Sequence, residues 1–165
     1  MDLKFTVQTK IQKPVETVFD AVYSPEKLSG YFTNGGSSGP LREGTTVEWR
    51  FADNPGEDHV VGDVSVRQVI PNKLIVLEWQ GAKTHSTRVE MSFEPTGPDE
   101  TLVRISETGW NETQEDLDGS YGNCFGWSHM VTALKGYVEY GVNLRKGAFA
   151  GTYSIDDHQR STAAD

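Results

Sequence analysis

The residue of this chain best placed to do chemistry is Glu107. It closes the run TLVRISETGW, in which Thr101, Val103, Ile105 and Glu107 recur with the period of a β-strand. The alternation that turns two aliphatic side chains inward therefore turns a carboxylate inward with them. A carboxylate facing an apolar space has a raised pKa unless a cation or a hydrogen-bond donor meets it, which suits a polar anchor for a ligand or a proton-transferring acid. Two plainer readings stand beside these: Glu107 lies near a strand end that water reaches, or a one-residue register slip points it outward. His85 shares a face with Thr87, Val89, Met91 and Phe93 in HSTRVEMSFE and is expected inward near the start of that strand. There it donates to a ligand, orients Glu107, or serves as a hydrogen-bonded histidine at the rim.

The other reactive side chains are less suggestive. Cys124 falls close to the apolar stripe of the last helix, but no histidine neighbours it in sequence, and a lone thiol there reads first as a small buried hydrophobe. His129 falls on the side of that helix opposite Trp127 and is expected to face solvent. His59, His85, His129 and His158 show no HxxxH spacing and there is no CxxC, so no metal is expected. GGSSG lacks the lysine and following helix of a phosphate-binding loop, no GxGxxG occurs, and no cofactor is expected.

Composition narrows the partners. A net charge of −9 argues against nucleic acid and against anionic membrane surfaces. No apolar run approaches the roughly 20 residues of a bilayer-spanning helix, so membrane insertion is not expected. The chain opens on MDLKFTVQTK, without the apolar core of a signal peptide, and Cys124 is its one cysteine; a cytoplasmic location without an internal disulfide is the expectation.

These side chains need elements to hold them. From Ser120 to Arg145 the apolar residues Trp127, Met130, Val131, Leu134, Val138, Gly141 and Val142 form one helical stripe. Glu112, Glu115, Asp116 and Asp118 before or in its first turn, Arg145 and Lys146 in its last, and Gly147 as C-cap complete the predicted helix. Ahead of it come a strand over 3–11 and two short helices opened by Pro14 and Pro25, the second carrying Leu28, Tyr31 and Phe32 inward. A glycine-rich loop over 33–44 leads to five further strands, with Gly62 marking a bulge or a close backbone approach. Six antiparallel strands and one long helix make an α+β pattern in which a curved sheet grips the helix. One domain over 1–150 is expected, with the polar, aperiodic 151–165 as a disordered tail.

A curved sheet and its covering helix usually leave more room than core side chains fill. Phe32, Trp49, Trp79, Phe93, Trp110, Trp127 and Met130 are the side chains that would line such a cavity, with His85 and Glu107 as its polar members. The alternative is that these aromatics simply pack the core.

Several stretches carry a likeness beyond pattern: Ile11, Pro14, Val18, Phe19 and Asp20 followed by Pro25, Glu26 and Leu28; Leu74 to Trp79, a strand ending in tryptophan; Thr101 to Gly109, a strand with a glycine exit; and Gly126-Trp127 with Leu134. Over residues 3–145 the chain resembles the START-like helix-grip (SRPBCC) superfamily and, within it, the Hsp90 ATPase activator homologue (AHSA1-like) family. It departs from that pattern at Tyr31-Phe32, where many relatives carry tryptophans, and in the acidic stretch Asn111 to Gly119. The resemblance implies a helix-grip fold and a shared cavity rather than a catalytic motif. The function it implies is binding of a small hydrophobic or aromatic molecule, lipid-like or polyketide-like. The alternatives are a polyketide cyclase-like enzyme using Glu107 or His85, and an Hsp90-type chaperone cofactor or stress-response interaction protein. A homodimer is a further partner left open.

Overall fold

The computed structural model describes residues 1–54 and 59–151, with the backbone alone at 59–61. The elements run β1 (Phe5–Ile11), α1 (Val15–Tyr23), α2 (Pro25–Leu28), β2 (Gly36–Ser37), β3 (Thr46–Phe51), β4 (His59–Ile70), β5 (Leu74–Trp79), β6 (Thr87–Gly97), β7 (Glu100–Thr108) and α3 (Gln114–Tyr140). One antiparallel sheet results, in the order β1-β7-β6-β5-β4-β3-β2. The first strand docks beside the last, and the meander runs from there to an edge at β2.

This is the expected α+β architecture, with a curled antiparallel sheet around a long C-terminal helix, but the sheet has seven strands rather than six. The additional one lies in the glycine-rich stretch 33–44, read from its composition as loop. Gly36 and Ser37 pair with Arg50 and Trp49 along the free edge of β3, and Gly35 N–H donates to Arg50 O at 3.0 Å. Glycine permits this approach, since a Cβ at Gly35 would lie 2.9 Å from the Arg50 backbone. Gly62, at φ +91°, sits where the β3–β4 register slips between Glu48 and Arg50, the bulge its position suggested.

Pro14 precedes α1 as its N-cap, and Pro25 opens α2 in its first turn. Val18, Phe19 and Val22 from α1 and Leu28, Tyr31 and Phe32 from α2 and its exit are buried, and Tyr31 Oη donates to Ala21 O at 3.0 Å. The two helices thereby close one end of the core.

The long helix differs from its predicted bounds at both ends. It starts six residues earlier, at Gln114, because Thr113 caps it: the Thr113 hydroxyl accepts from the Asp116 N–H at 3.1 Å. It stops at Tyr140, five residues early, because Gly141 takes a left-handed conformation at φ 67° and its N–H returns to Tyr137 O. Gly147 is therefore not the cap, Val142 is exposed beyond the helix, and Arg145 lies outside the last turn. Trp127, Met130, Val131 and Leu134 keep the predicted stripe and share one core cluster with Val47, Trp49, Leu77, Val89, Met91 and Ile105 of the sheet. Each fully buried aliphatic side chain here contributes about 1.5–3 kcal/mol. At the other end Lys135 Nζ donates to Lys10 O at 3.0 Å and Glu139 Oε1 accepts from the Gln12 N–H at 2.6 Å, fixing α3 to β1.

After Gly141 the chain turns back along α3. Leu144 fills the space beside Gly136, where a Cβ would sit 2.8 Å from it, and Phe149 lies over His129 with ring centroids 4.7 Å apart. The expected tail falls outside the described residues from 152 onward.

Gly141→Ala is expected to lower stability by about 1–2 kcal/mol in urea denaturation, because its φ is left-handed and no side-chain contact offsets that cost. Gly39→Ala, at an ordinary φ with open space around it, leaves the midpoint no lower.

Candidate functional site

Glu107 points inward, as the period of β7 dictates, and no part of it is exposed. Four side chains from three other elements, β5, β6 and α3, converge on its carboxylate. Trp79 Nε1, at the end of β5, donates to Oε1 at 2.9 Å, and Thr87 Oγ1, opening β6, donates to the same oxygen at 2.5 Å. Trp127 Nε1 donates to Oε2 at 2.9 Å. Asn123, one turn earlier on the same face of α3, places Nδ2 at 3.1 and 3.3 Å from the two oxygens and 3.3 Å from Gly81 O. Gly81 must be glycine, since a Cβ there would overlap Thr87 Oγ1 and Glu107 Oε1.

Every one of these partners donates, and none is a cation. Burial raises the pKa of the Glu107 carboxyl, and the hydrogen bonds from Thr87, Trp79, Trp127 and Asn123 pull it down by less. The result is an acid held above the usual carboxylate range inside a closed ring of donors.

Two of those donors belong to an aromatic cluster. Phe32 meets Trp49, Phe51 and Trp127 at centroid separations of 5.4, 5.1 and 5.5 Å, and Trp79 meets Trp127 at 5.4 Å and Trp49 at 6.0 Å. Trp49 and Trp127 are buried, whereas Trp79 is part-exposed and carries the cluster to the surface. The far side is closed by Arg145. Its guanidinium lies 4.9 Å from the Phe51 ring centroid and 4.6 Å from that of Phe149, and it makes a two-point ion pair with Asp53, Nε to Oδ1 at 2.8 Å and Nη2 to Oδ2 at 2.7 Å. Arg145 is 6% exposed and Asp53 11%.

Of the residues singled out from sequence, the structure brings together Phe32, Trp49, Trp79, Glu107 and Trp127. Met130 lies one turn along α3, fully buried, and Phe93 packs edge-on to Phe19 on the α1 side of the core. Trp110 is buried beside Gly119 at the start of α3, outside the main core cluster. His85 is not on the strand. It occupies the loop before β6, where Nε2 lies 2.8 Å from Gly109 O and 3.5 Å from Asp116 Oδ2, so it ties that loop to the start of α3 and makes no bond to Glu107. The face was misassigned because β6 begins two residues later, at Thr87. His129, expected in solvent, is half-buried under Phe149, and burial lowers its pKa. Thr87, Asn123, Gly81 and the Asp53–Arg145 pair were not found by sequence reasoning. For Asn123 a signal existed, a polar residue one helical turn before Trp127.

Among the described residues no group of three His, Cys, Asp or Glu side chains is arranged to hold a metal, and no helix is long and apolar enough to cross a membrane.

A family model described as Activator of Hsp90 ATPase homolog 1-like protein matches residues 12–139. Among solved structures, protein SSP2350 from Staphylococcus saprophyticus is 26% identical with a TM-score of 0.71, over 87% of this chain and 97% of that one. The Aha1 dimer from Colwellia psychrerythraea is 24% identical with a TM-score of 0.68, over 84% and 98%. DynU16, a putative protein in the dynemicin biosynthetic locus, is 21% identical with a TM-score of 0.69, over 87% of this chain and 50% of its own. No curated protein matches the chain.

Glu107→Gln turns one acceptor into a donor among donors and is expected to cost about 1–3 kcal/mol near pH 4.5, measured by urea denaturation. The folded state holds the Glu107 proton more tightly than the unfolded chain does. Its stabilising contribution is therefore complete below the ordinary value of 4.5 and is lost as pH rises through the raised folded value. The gap between wild type and variant should narrow from pH 4 to 7; a widening gap would show that the donors outweigh burial. For the Asp53–Arg145 pair, a double-mutant cycle with alanine at each position should give a coupling of about 1–3 kcal/mol. A coupling near zero would mean that the rings alone hold Arg145.

Proposed function

The chain belongs to the Activator of Hsp90 ATPase homolog 1-like family, and we propose that it binds a small apolar or aromatic molecule between the sheet and α3. The observation that supports this most is the aromatic cluster of Phe32, Trp49, Trp79 and Trp127, gathered at one end of the sheet–helix interface and reaching the surface at Trp79. Ordinary cores are filled mainly by aliphatic side chains, whereas several indoles in one place offer wide, flat faces on which a ring can stack. In this reading Met130 and Phe93 form the deeper wall, His85 and Trp110 belong to the rim, and Glu107 sets the orientation of the indoles. A ligand that buries about 200 Å² of apolar surface gains roughly 5 kcal/mol, which puts millimolar to submillimolar affinity in reach.

Binding is favoured over proton transfer by the state of the acid. A general base needs a lone pair turned to its substrate, and both oxygens of Glu107 are already engaged by protein donors. His85 is engaged with Gly109 O and borders Asp116 instead. A chaperone partner comes with the family's description, but none of the contacts above favours it.

Titration with naphthalene should quench the tryptophan fluorescence saturably at one molecule per chain. Trp79→Ala also removes a donor to Glu107, so its fold is checked by circular dichroism; in the folded variant the affinity should weaken about tenfold, through loss of the part-exposed stacking face. Quenching that never saturates, or an unchanged affinity in the variant, would overturn the reading.

A further inference from the structure

The three indole N–H groups of the cluster are not equivalent. Those of Trp79 and Trp127 are spent on Glu107, but Trp49 Nε1, in a side chain only 1% exposed, has no acceptor among the described residues. A buried donor without a partner is costly, and native proteins leave few of them. Trp110 Nε1 also lacks an acceptor, but Trp110 stands outside the main core cluster. Trp49 stands inside it, against Phe32 and Trp127, with the part-exposed Trp79 as its neighbour.

We propose that Trp49 Nε1 is the polar anchor of the site, and that the ligand is a neutral, largely apolar molecule carrying a ketone-type acceptor oxygen. This rests on the binding reading above and specifies its ligand. The surrounding charges decide the class. A cationic ligand would look to Glu107, whose oxygens are both occupied by donors. An anionic ligand would need a cation, and Arg145, stacked beside Phe32, is already held by Asp53 in a two-point pair. A pure hydrocarbon would leave the Trp49 N–H unpaired. A carbonyl oxygen, which accepts and carries no charge, satisfies the donor without adding charge among the rings. Trp79, the part-exposed member of the cluster, is a ring neighbour of Trp49 at 6.0 Å.

Two probes of nearly the same shape separate the alternatives: 2-acetonaphthone and 2-isopropenylnaphthalene, which differ in C=O against C=CH2. Each is titrated into the full chain, with binding followed by calorimetry and the indole N–H signals by NMR, assigned through Trp→Phe variants. The ketone is the more water-soluble of the two, so an apolar slot without a donor would favour the alkene. The expected result is that the ketone binds about tenfold more tightly, the gain of one satisfied buried hydrogen bond, and shifts the Trp49 indole signal downfield. In Trp49→Phe the preference disappears while the alkene still binds. Equal binding of the two probes, a preference for the alkene, or a Trp49 signal that does not move overturns the anchor and leaves the binding reading standing. Failure of both probes to bind overturns both.

Discussion

A carboxylate taken fully out of water must be met by something, and in this protein no cation meets Glu107. The cost of desolvating it is several kcal/mol, and hydrogen bonds to a charged acceptor return about 1.5–3 kcal/mol each, so it is tolerable only when several donors arrive together. Trp79, Thr87, Asn123 and Trp127 come from the end of one strand, the start of the next and two turns of the helix. Their convergence fixes the rotation of α3 over the sheet and the depth at which β5 and β6 end. It also turns the edges of two indoles toward the acid, leaving their faces to the cluster. The close fit extends to the backbone, where Gly81 leaves no room for even a methyl group.

The aromatic cluster is thus suspended between two polar fixtures of opposite design. At one end a buried acid is ringed by neutral donors; at the other a buried guanidinium is matched by a carboxylate and sandwiched among Phe32, Phe51 and Phe149. The first has no counter-charge and so carries a raised pKa, and the second is internally neutralised. Between them the rings meet edge-on or tilted at 5.1–6.3 Å, the arrangement that aromatic quadrupoles prefer.

Much of this was legible in the sequence, and the parts that were not share a physical reason. Glu107 is found by alternation because β7 is regular and its period is fixed by the backbone. Trp127, Met130 and Leu134 are found because the helical period is equally rigid. Two of the donors to Glu107, Thr87 and Asn123, cannot be found this way, since they belong to different elements and meet the acid only in three dimensions. Ends of elements proved harder than their middles. His85 was placed on a strand that begins two residues after it, and the helix was run to Arg145 with Gly147 as its cap when Gly141 had already stopped it. Any of several glycines can take a left-handed conformation, and packing decides which one does. β2 was hidden because its residues have no strand propensity and are drawn into pairing by the free edge of β3.

That short strand has a consequence for how the molecule behaves in a crowd. An open sheet has two edges, each with unpaired backbone groups on which a stranger's strand could grow. Here one edge is only Gly36 and Ser37, too short to template a further strand. The other, β1, is bound at its C-terminal end by Lys135 and Glu139 of α3 and carries Lys10 outward. The glycine-rich segment thus acts as a guard against edge-to-edge aggregation. Growth of an intermolecular sheet is disfavoured at the β2 edge, which offers two residues for pairing.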